Sequence, residues 1–156
     1  MTHGPADALE RFLARLLLRS PLSDDEMSAI LALEGKLVRL GAHRDVVRLR
    51  EKTSFACLVV DGLARRFDQL ANGDRQITAL HIPGDMCDLH SVAVPFTGWG
   101  IQALTASTYL YVSHSALKDL PLRYPRIAYA FWRDTIADAS ILAKWISALG
   151  RRSAKQ

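Results

Sequence analysis

From Leu9 to Leu17 apolar side chains fall at Leu9, Phe12, Leu13, Leu16 and Leu17, the spacing of a helix with one buried face. Pro21 stops it. Ser23 followed by Glu26 has the form of a capping box, so a second helix is expected to start near Asp24, run to about Leu33 and end near Gly35. The texture then changes. Strands are predicted at Leu37–Val38, Val46–Leu49, Cys57–Val60, Leu63–Phe67, Ile77–Ile82, Ile101–Leu104 and Leu110–Val112. Asp61-Gly62, Asn72-Gly73 and Pro83-Gly84-Asp85 are turn signals between them. Many short strands at this spacing predict a barrel or jelly roll.

A short capped helix is expected over Ser113 to Leu120, with Pro121 and Pro125 as punctuation. From Arg126 to Leu149 there is no proline or glycine, which allows one helix about 36 Å long. Ala128, Trp132, Thr135, Ala139, Leu142, Ile146 and Leu149 follow alternating steps of four and three, a heptad-like seam. Ile127, Phe131 and Trp145 widen the apolar face, and Asp138 interrupts them. So broad a face predicts that one part packs on the chain's own barrel and another on a partner chain, the seam then forming a homodimer. The alternative is a single core-facing stripe with no partner. The organisation expected is one α+β unit: N-terminal helices over 1–35, a β-roll or jelly roll (a double-stranded β-helix) over 36–113, and the short and long helices over 114–150.

With 156 residues and 49% apolar composition, the chain can bury a core without metal or disulfide staples. The formal net charge of +4 is spread over small pairs such as Arg65-Arg66, Arg48 with Arg50, and Arg151-Arg152, which suits a solvated surface better than a nucleic-acid footprint. Arg11 and Arg15 mark the first helix as a surface helix. No apolar run reaches the ~18 residues of a membrane span, and Met1 to Ala6 lack the form of a secretory signal, so a cytoplasmic protein is expected. Cys57 and Cys87, thirty positions apart, do not have metal-knuckle spacing and read as two reduced thiols, with a regulatory disulfide as the alternative. The histidines are scattered, with no His-x-His pair of the kind a cupin-like metal enzyme needs. No catalytic residue, metal or cofactor is therefore expected; haem on His81 or His90 is the alternative. There is no Gly-x-Ser-x-Gly, P-loop or nucleophile–base pair to read from the sequence.

The order of elements, together with Ser20-Pro21-Leu22-Ser23, Leu58-Val59-Val60-Asp61-Gly62-Leu63-Ala64-Arg65, Asn72-Gly73-Asp74-Arg75-Gln76-Ile77, His81-Ile82-Pro83-Gly84-Asp85 and Ala103-Leu104-Thr105, resembles the Crp/Fnr superfamily of bacterial transcription regulators. The likeness covers roughly residues 9 to 153. Cys87-Asp88-Leu89-His90-Ser91 and Gly150-Arg151-Arg152 are similar to a subgroup of these regulators. The resemblance implies a cyclic-nucleotide-binding-like sensor with a long dimerisation helix.

One departure from that family matters most. Nucleotide-binding members hold the ribose with a Gly-Glu pair after the Pro-Gly-Asp turn and the cyclic phosphate with an arginine a little later. Here the first pair aligns with Asp88 and Leu89, and the arginine position falls near Thr97, in Phe96-Thr97-Gly98-Trp99-Gly100, where no basic residue stands. A phosphate in a partly dry pocket without a cation is costly, so no tight binding of cyclic AMP or cyclic GMP is expected. Arg66 and Arg75 are the candidates for a substitute cation. Asp88, Leu89, His90, Ser91, Thr97, Gly98, Trp99, Gly100 and Gln102 are the expected lining of an effector pocket for an unidentified small or aromatic molecule. Trp99 is expected to plug the pocket as core; the alternative is that Gly98 and Gly100 let the backbone bend around a flat group. The family's helix-turn-helix domain would begin where this chain ends, so specific DNA binding by this chain alone is not expected. Both a piece of a longer regulator and a stand-alone sensor fit the sequence.

Overall fold

Ser23 and Glu26 close the expected capping box, the serine hydroxyl accepting from the Glu26 N–H and the glutamate accepting from the Ser23 N–H. They start α2, Asp24–Leu31, which follows α1, Pro5–Leu17. The structure, a computed structural model, describes residues 4–96 and 98–150, so the expectations for Thr97 and for Arg151 and Arg152 lie outside the described residues. Seven strands follow: β1 Lys36–Leu40, β2 Asp45–Val47, β3 Phe55–Asp61, β4 Ala64–Gln69, β5 Arg75–His81, β6 Gly100–Ala103 and β7 Ser107–Ser113. Each overlaps one of the seven predicted. A 3-10 turn, Leu89–Val92, lies between β5 and β6. The chain closes with α3, His114–Arg123, capped by the Ser113 hydroxyl, and α4, Pro125–Leu149, with a proline at its first turn.

Two of these boundaries correct the sequence reading. Helix α2 stops at Leu31 rather than Leu33. Helix α3 runs through Pro121 to Arg123, because the proline sits in the last turn, where the backbone bond it removes is one of the few remaining before the helix ends.

The strands form two antiparallel sheets, β1-β7-β3 and β2-β6-β4-β5. Strand β3 is buried along Ala56–Val60 because it faces apolar layers on both sides. Ala56, Leu58 and Val60 pack with Phe12, Leu16, Ile30, Leu117, Ile127 and other helix residues. Cys57 and Val59 point the other way and pack with Val46, Val47, Ala64, Ile101, Ala103 and Tyr109 inside the roll. This is the period-two alternation of a strand read twice, once per core.

The turns that bring the layers together carry glycines in the left-handed region, with Gly62 at φ 92°, Gly73 at 90° and Gly84 at 96°. Gly84 has a second constraint. A Cβ there would lie 2.5 Å from the Cβ of Arg11, so α1 rests directly on the Pro-Gly-Asp turn. That contact sets Arg15, one turn further along α1, over Asp85.

On α4 the buried stripe is Ile127, Ala130, Phe131 and Asp134. The seam marked out by sequence lies one residue round the helix. Trp132, Ile146 and Leu149 are 61%, 62% and 74% exposed, Ala128 and Ala139 are also exposed, and Thr135 and Leu142 are half-buried.

Candidate functional site

The site is built where the roll meets α4. On the four-stranded sheet Ala64 pairs with Ala103, Arg65 with Gln102, and Arg66 with Ile101. Ala64, Ile101 and Ala103 belong to the inner core, so alternation turns Arg66 inward and Arg65 and Gln102 outward. The Arg65 guanidinium donates to Gln102 Oε1 at 2.6 and 3.0 Å, and Gln102 Nε2 donates to the His43 carbonyl and to Asp45. Gln102 therefore serves the outer face of the sheet and not the pocket expected of it.

Arg66 corrects a second reading. Half of a pair that looks like solvated surface, it is only 6% exposed. Its Nε donates to Thr78 Oγ1 at 3.2 Å, and its guanidinium carbon stands 4.9 Å from the centroid of the Trp99 ring. His90 meets the same indole, with ring centroids 4.8 Å apart. Two cavities of about 200 Å³ each open here, and Arg66, Asp138 and Leu142 line both. One continues along Leu89, His90, Trp99, Thr135 and Ala139. The other continues along Thr78, His81, Asp85 and Trp145. Burial, and then the charge of Arg66, press the His90 pKa down to about 4, so its ring is neutral at pH 7.

Asp88 and Ser91 do not reach these cavities. Asp88 is 0% exposed, and its Oδ1 accepts from the Cys57 N–H at 2.8 Å and from the Cys57 thiol at 3.3 Å. Ser91 Oγ lies 3.4 Å from Asp88 Oδ2 and 2.8 Å from His114 Nε2. Burial pushes the Asp88 pKa up to about 6 against the pull of these donors. The first residues of the 3-10 turn point into the protein, and this inward polar chain is the reason. It also supplies a serine–histidine pair that sequence adjacency hid, since the partner is His114 and not His90. Ser91 is fully buried, so the pair ties the turn to α3 rather than presenting a nucleophile. Both cysteines are free and buried, and the Cys57 thiol, hydrogen-bonded to Cys87 and beside Asp88, has its pKa pushed up.

Gly98 is exposed with open space around it. Gly100 is needed by the protein's own core, because a Cβ there would lie 2.5 Å from the tip of the Phe67 ring. Leu89, His90 and Trp99 are thus the expected lining residues that reach the cavities. Among the described residues no cluster of three or more metal-ligating side chains occurs.

Arg15, read from sequence as a surface residue, is the clamp of this region. Its guanidinium bonds Asp134, Asp138 at 2.6 Å and Asp85 at 2.8 Å, joining α1, the Pro-Gly-Asp turn and α4. Burial opposes the Asp85 charge, but His81, the Ile82 N–H and Arg15 together hold its pKa low. Burial opposes a proton on His81 as well, yet Cys87 and Asp85 raise its pKa overall. Asp138, which interrupts an apolar stripe in the sequence, is the end of this clamp.

No protein-family model matches the chain. No curated protein matches it with significance. Solved structures do match. FixK2 from Bradyrhizobium japonicum aligns with a TM-score of 0.73 at 24% identity, over 78% of this chain and 61% of its own. The catabolite activator protein of Thermus thermophilus aligns at 0.66 and 17%, over 85% of this chain and 63% of its own. The sensor domain of the transcriptional regulator DNR from Pseudomonas aeruginosa aligns at 0.65 and 15%, over 95% of this chain and 96% of its own. The chain thus spans about three fifths of the two full regulators and nearly all of the isolated sensor. These likenesses show the fold, a cyclic-nucleotide-binding-like β-roll with a long C-terminal helix. Among the described residues no helix is long and apolar enough to cross a membrane.

Proposed function

We propose that this chain is the effector-sensing and dimerising part of a Crp/Fnr-type transcription regulator, and that its effector is neither cyclic AMP nor cyclic GMP. One observation carries the reading. Thr135, Ala139 and Leu142 of α4 line a cavity against the roll, while Trp132, Ile136, Ile146 and Leu149 of the same helix stand exposed. An apolar helix face left in water is costly and marks a partner surface. A ligand in the cavity and a second copy on the helix would then press on neighbouring residues of one rigid element, so that either biases the other's position. Beside the seam, an apolar groove of about 680 Å³ lined by Val92, Leu117, Leu122, Ala128, Phe131 and Trp132 offers room for the partner's side chains.

Two features support exclusion of cyclic nucleotides. Asp88 and Leu89 replace the ribose-binding pair, and Asp88 is engaged inside the protein. Each cavity is also smaller than the ~300–1,000 Å³ usual for sites of ligands this large. Sedimentation tests the dimer: the wild-type chain is expected to run at twice its mass, and Leu142→Glu with Ile146→Glu as a monomer. A double variant that keeps the wild-type mass would place the interface elsewhere. Calorimetry with cyclic AMP is expected to show no heat of binding at micromolar ligand.

A further inference from the structure

Arg66 brings a full charge into the interior and finds little there to neutralise it. Of its five N–H donors, Nε alone has a hydrogen-bond acceptor among the described residues, the Thr78 hydroxyl. None of the described ion pairs includes Arg66. Asp138 lends it some field, but that carboxylate is held by Arg15. An arginine cannot shed its proton to relieve the cost of burial, as a lysine would. The unpaired guanidinium faces a cavity whose other walls are mostly apolar: Leu89, Trp99, Ala139 and Leu142. His90 lines the same cavity, and its Nε2 is buried with no hydrogen-bond partner among the described residues.

We propose that Arg66 and His90 hold the carboxylate of a small apolar monocarboxylic acid in the cavity between the β-roll and α4. The inference rests on the sensor reading above and names the chemistry of its effector. A carboxylate matches the planar fork of the guanidinium, and the apolar wall takes the body of the acid. Asp138 lines the same cavity and opposes a second negative charge, so a dianion is disfavoured. The cation comes from the middle of β4, far in sequence from the loop where the family's arginine is expected, which is why the loop alone looks empty of positive charge.

Benzoate is a suitable probe, with inorganic phosphate and cyclic AMP as comparators, and tryptophan fluorescence or calorimetry on the whole chain as the readout. Saturable benzoate binding is expected. Arg66→Gln should weaken it at least tenfold, Arg66→Lys should retain part of it, and His90→Leu should weaken it roughly three- to tenfold, the worth of one hydrogen bond. Circular dichroism on each variant establishes that it is folded, and His90→Leu tests the site independently should Arg66→Gln fail to fold. The proposal is overturned if benzoate does not saturate, if its affinity is unchanged in both Arg66→Gln and His90→Leu, or if phosphate binds as tightly as benzoate through Arg66. Sedimentation of the same samples separates the two readings. A dimer that ignores benzoate removes the anion site and leaves the sensor module, whereas a monomer that binds benzoate does the reverse.

Discussion

Two arginines, Arg66 buried and Arg15 half-buried, stand within one region of this molecule and are treated in opposite ways. Arg15 meets three carboxylates from two separate parts of the chain. Arg66 meets a hydroxyl and the face of an indole. The same contrast separates two residues at the start of the 3-10 turn, since Asp88 accepts from Cys57 and Ser91 while His90 Nε2 has no partner among the described residues. A satisfied polar group holds elements together, and an unsatisfied one beside a cavity is left for something else to satisfy. Arg15 and Asp88 belong to the frame, whereas Arg66 and His90 belong to the site.

Substitution should separate the pairs. The largest effect is expected at the clamp. Arg15→Met leaves Asp134 and Asp138 without their cation and Asp85 with His81 alone, and should cost about 3 to 5 kcal/mol in urea denaturation. A loss below ~1 kcal/mol would mean that the cluster contributes little.

The next effect is in pH. Asp88 has its pKa raised from 3.8 to about 6 in the fold, so the stability its protonated form brings is present at low pH and is lost as pH rises through 6. His90 has its pKa lowered from 6.5 to about 4, so its contribution is present above 6.5 and is lost as pH falls through 4. The two slopes oppose each other between pH 4 and 6, each worth roughly 2 to 3 kcal/mol. Asp88→Asn, which can still accept from the Cys57 N–H, should therefore make stability climb with pH across that window, and His90→Gln should make it fall. The other carboxylates titrate in both variants alike, so equal slopes in the two would refute the assignment.

Much of the frame was legible in the sequence because it is encoded locally. The capping box, the glycine turns and the alternation of each strand depend on neighbours a few residues away, and the elements they mark are present in the structure. What was not legible depends on distant partners. Arg15 looks like a surface residue until Asp134, 119 positions on, is brought to it. Asp134 belongs to the buried stripe of α4 and Asp138 follows it one turn on, half-buried, although a charged residue on a helix ordinarily marks the solvent face. Ser91 and His114 are 23 positions apart and meet only because the 3-10 turn packs on α3. Gln102 is a different kind of miss. It stands between Ile101 and Ala103, so alternation alone already turned it to the outer face. The same rule applied to Arg65-Arg66 turns one arginine out and the other in, which the reading of that pair as solvated surface overlooked.

A smaller effect is expected at Arg66 itself. Since it makes few bonds, Arg66→Met should leave stability within ~1 kcal/mol of wild type, in either direction. A loss as large as that of Arg15→Met would make Arg66 part of the frame and erase the contrast. The smallest change is expected at the cysteines. Cys57 is buried with a raised pKa and Cys87 is buried beside it, so a thiol reagent should label neither at a measurable rate until the protein unfolds.

The central claim is that α4 reads what occupies the cavity beneath it. Hydrogen–deuterium exchange of the whole chain, with and without saturating benzoate, tests it most directly. The expected result is slower exchange in the stretch of α4 around Thr135 to Ile146 together with β4. Protection confined to the sheet, with the α4 amides exchanging as before, would contradict it.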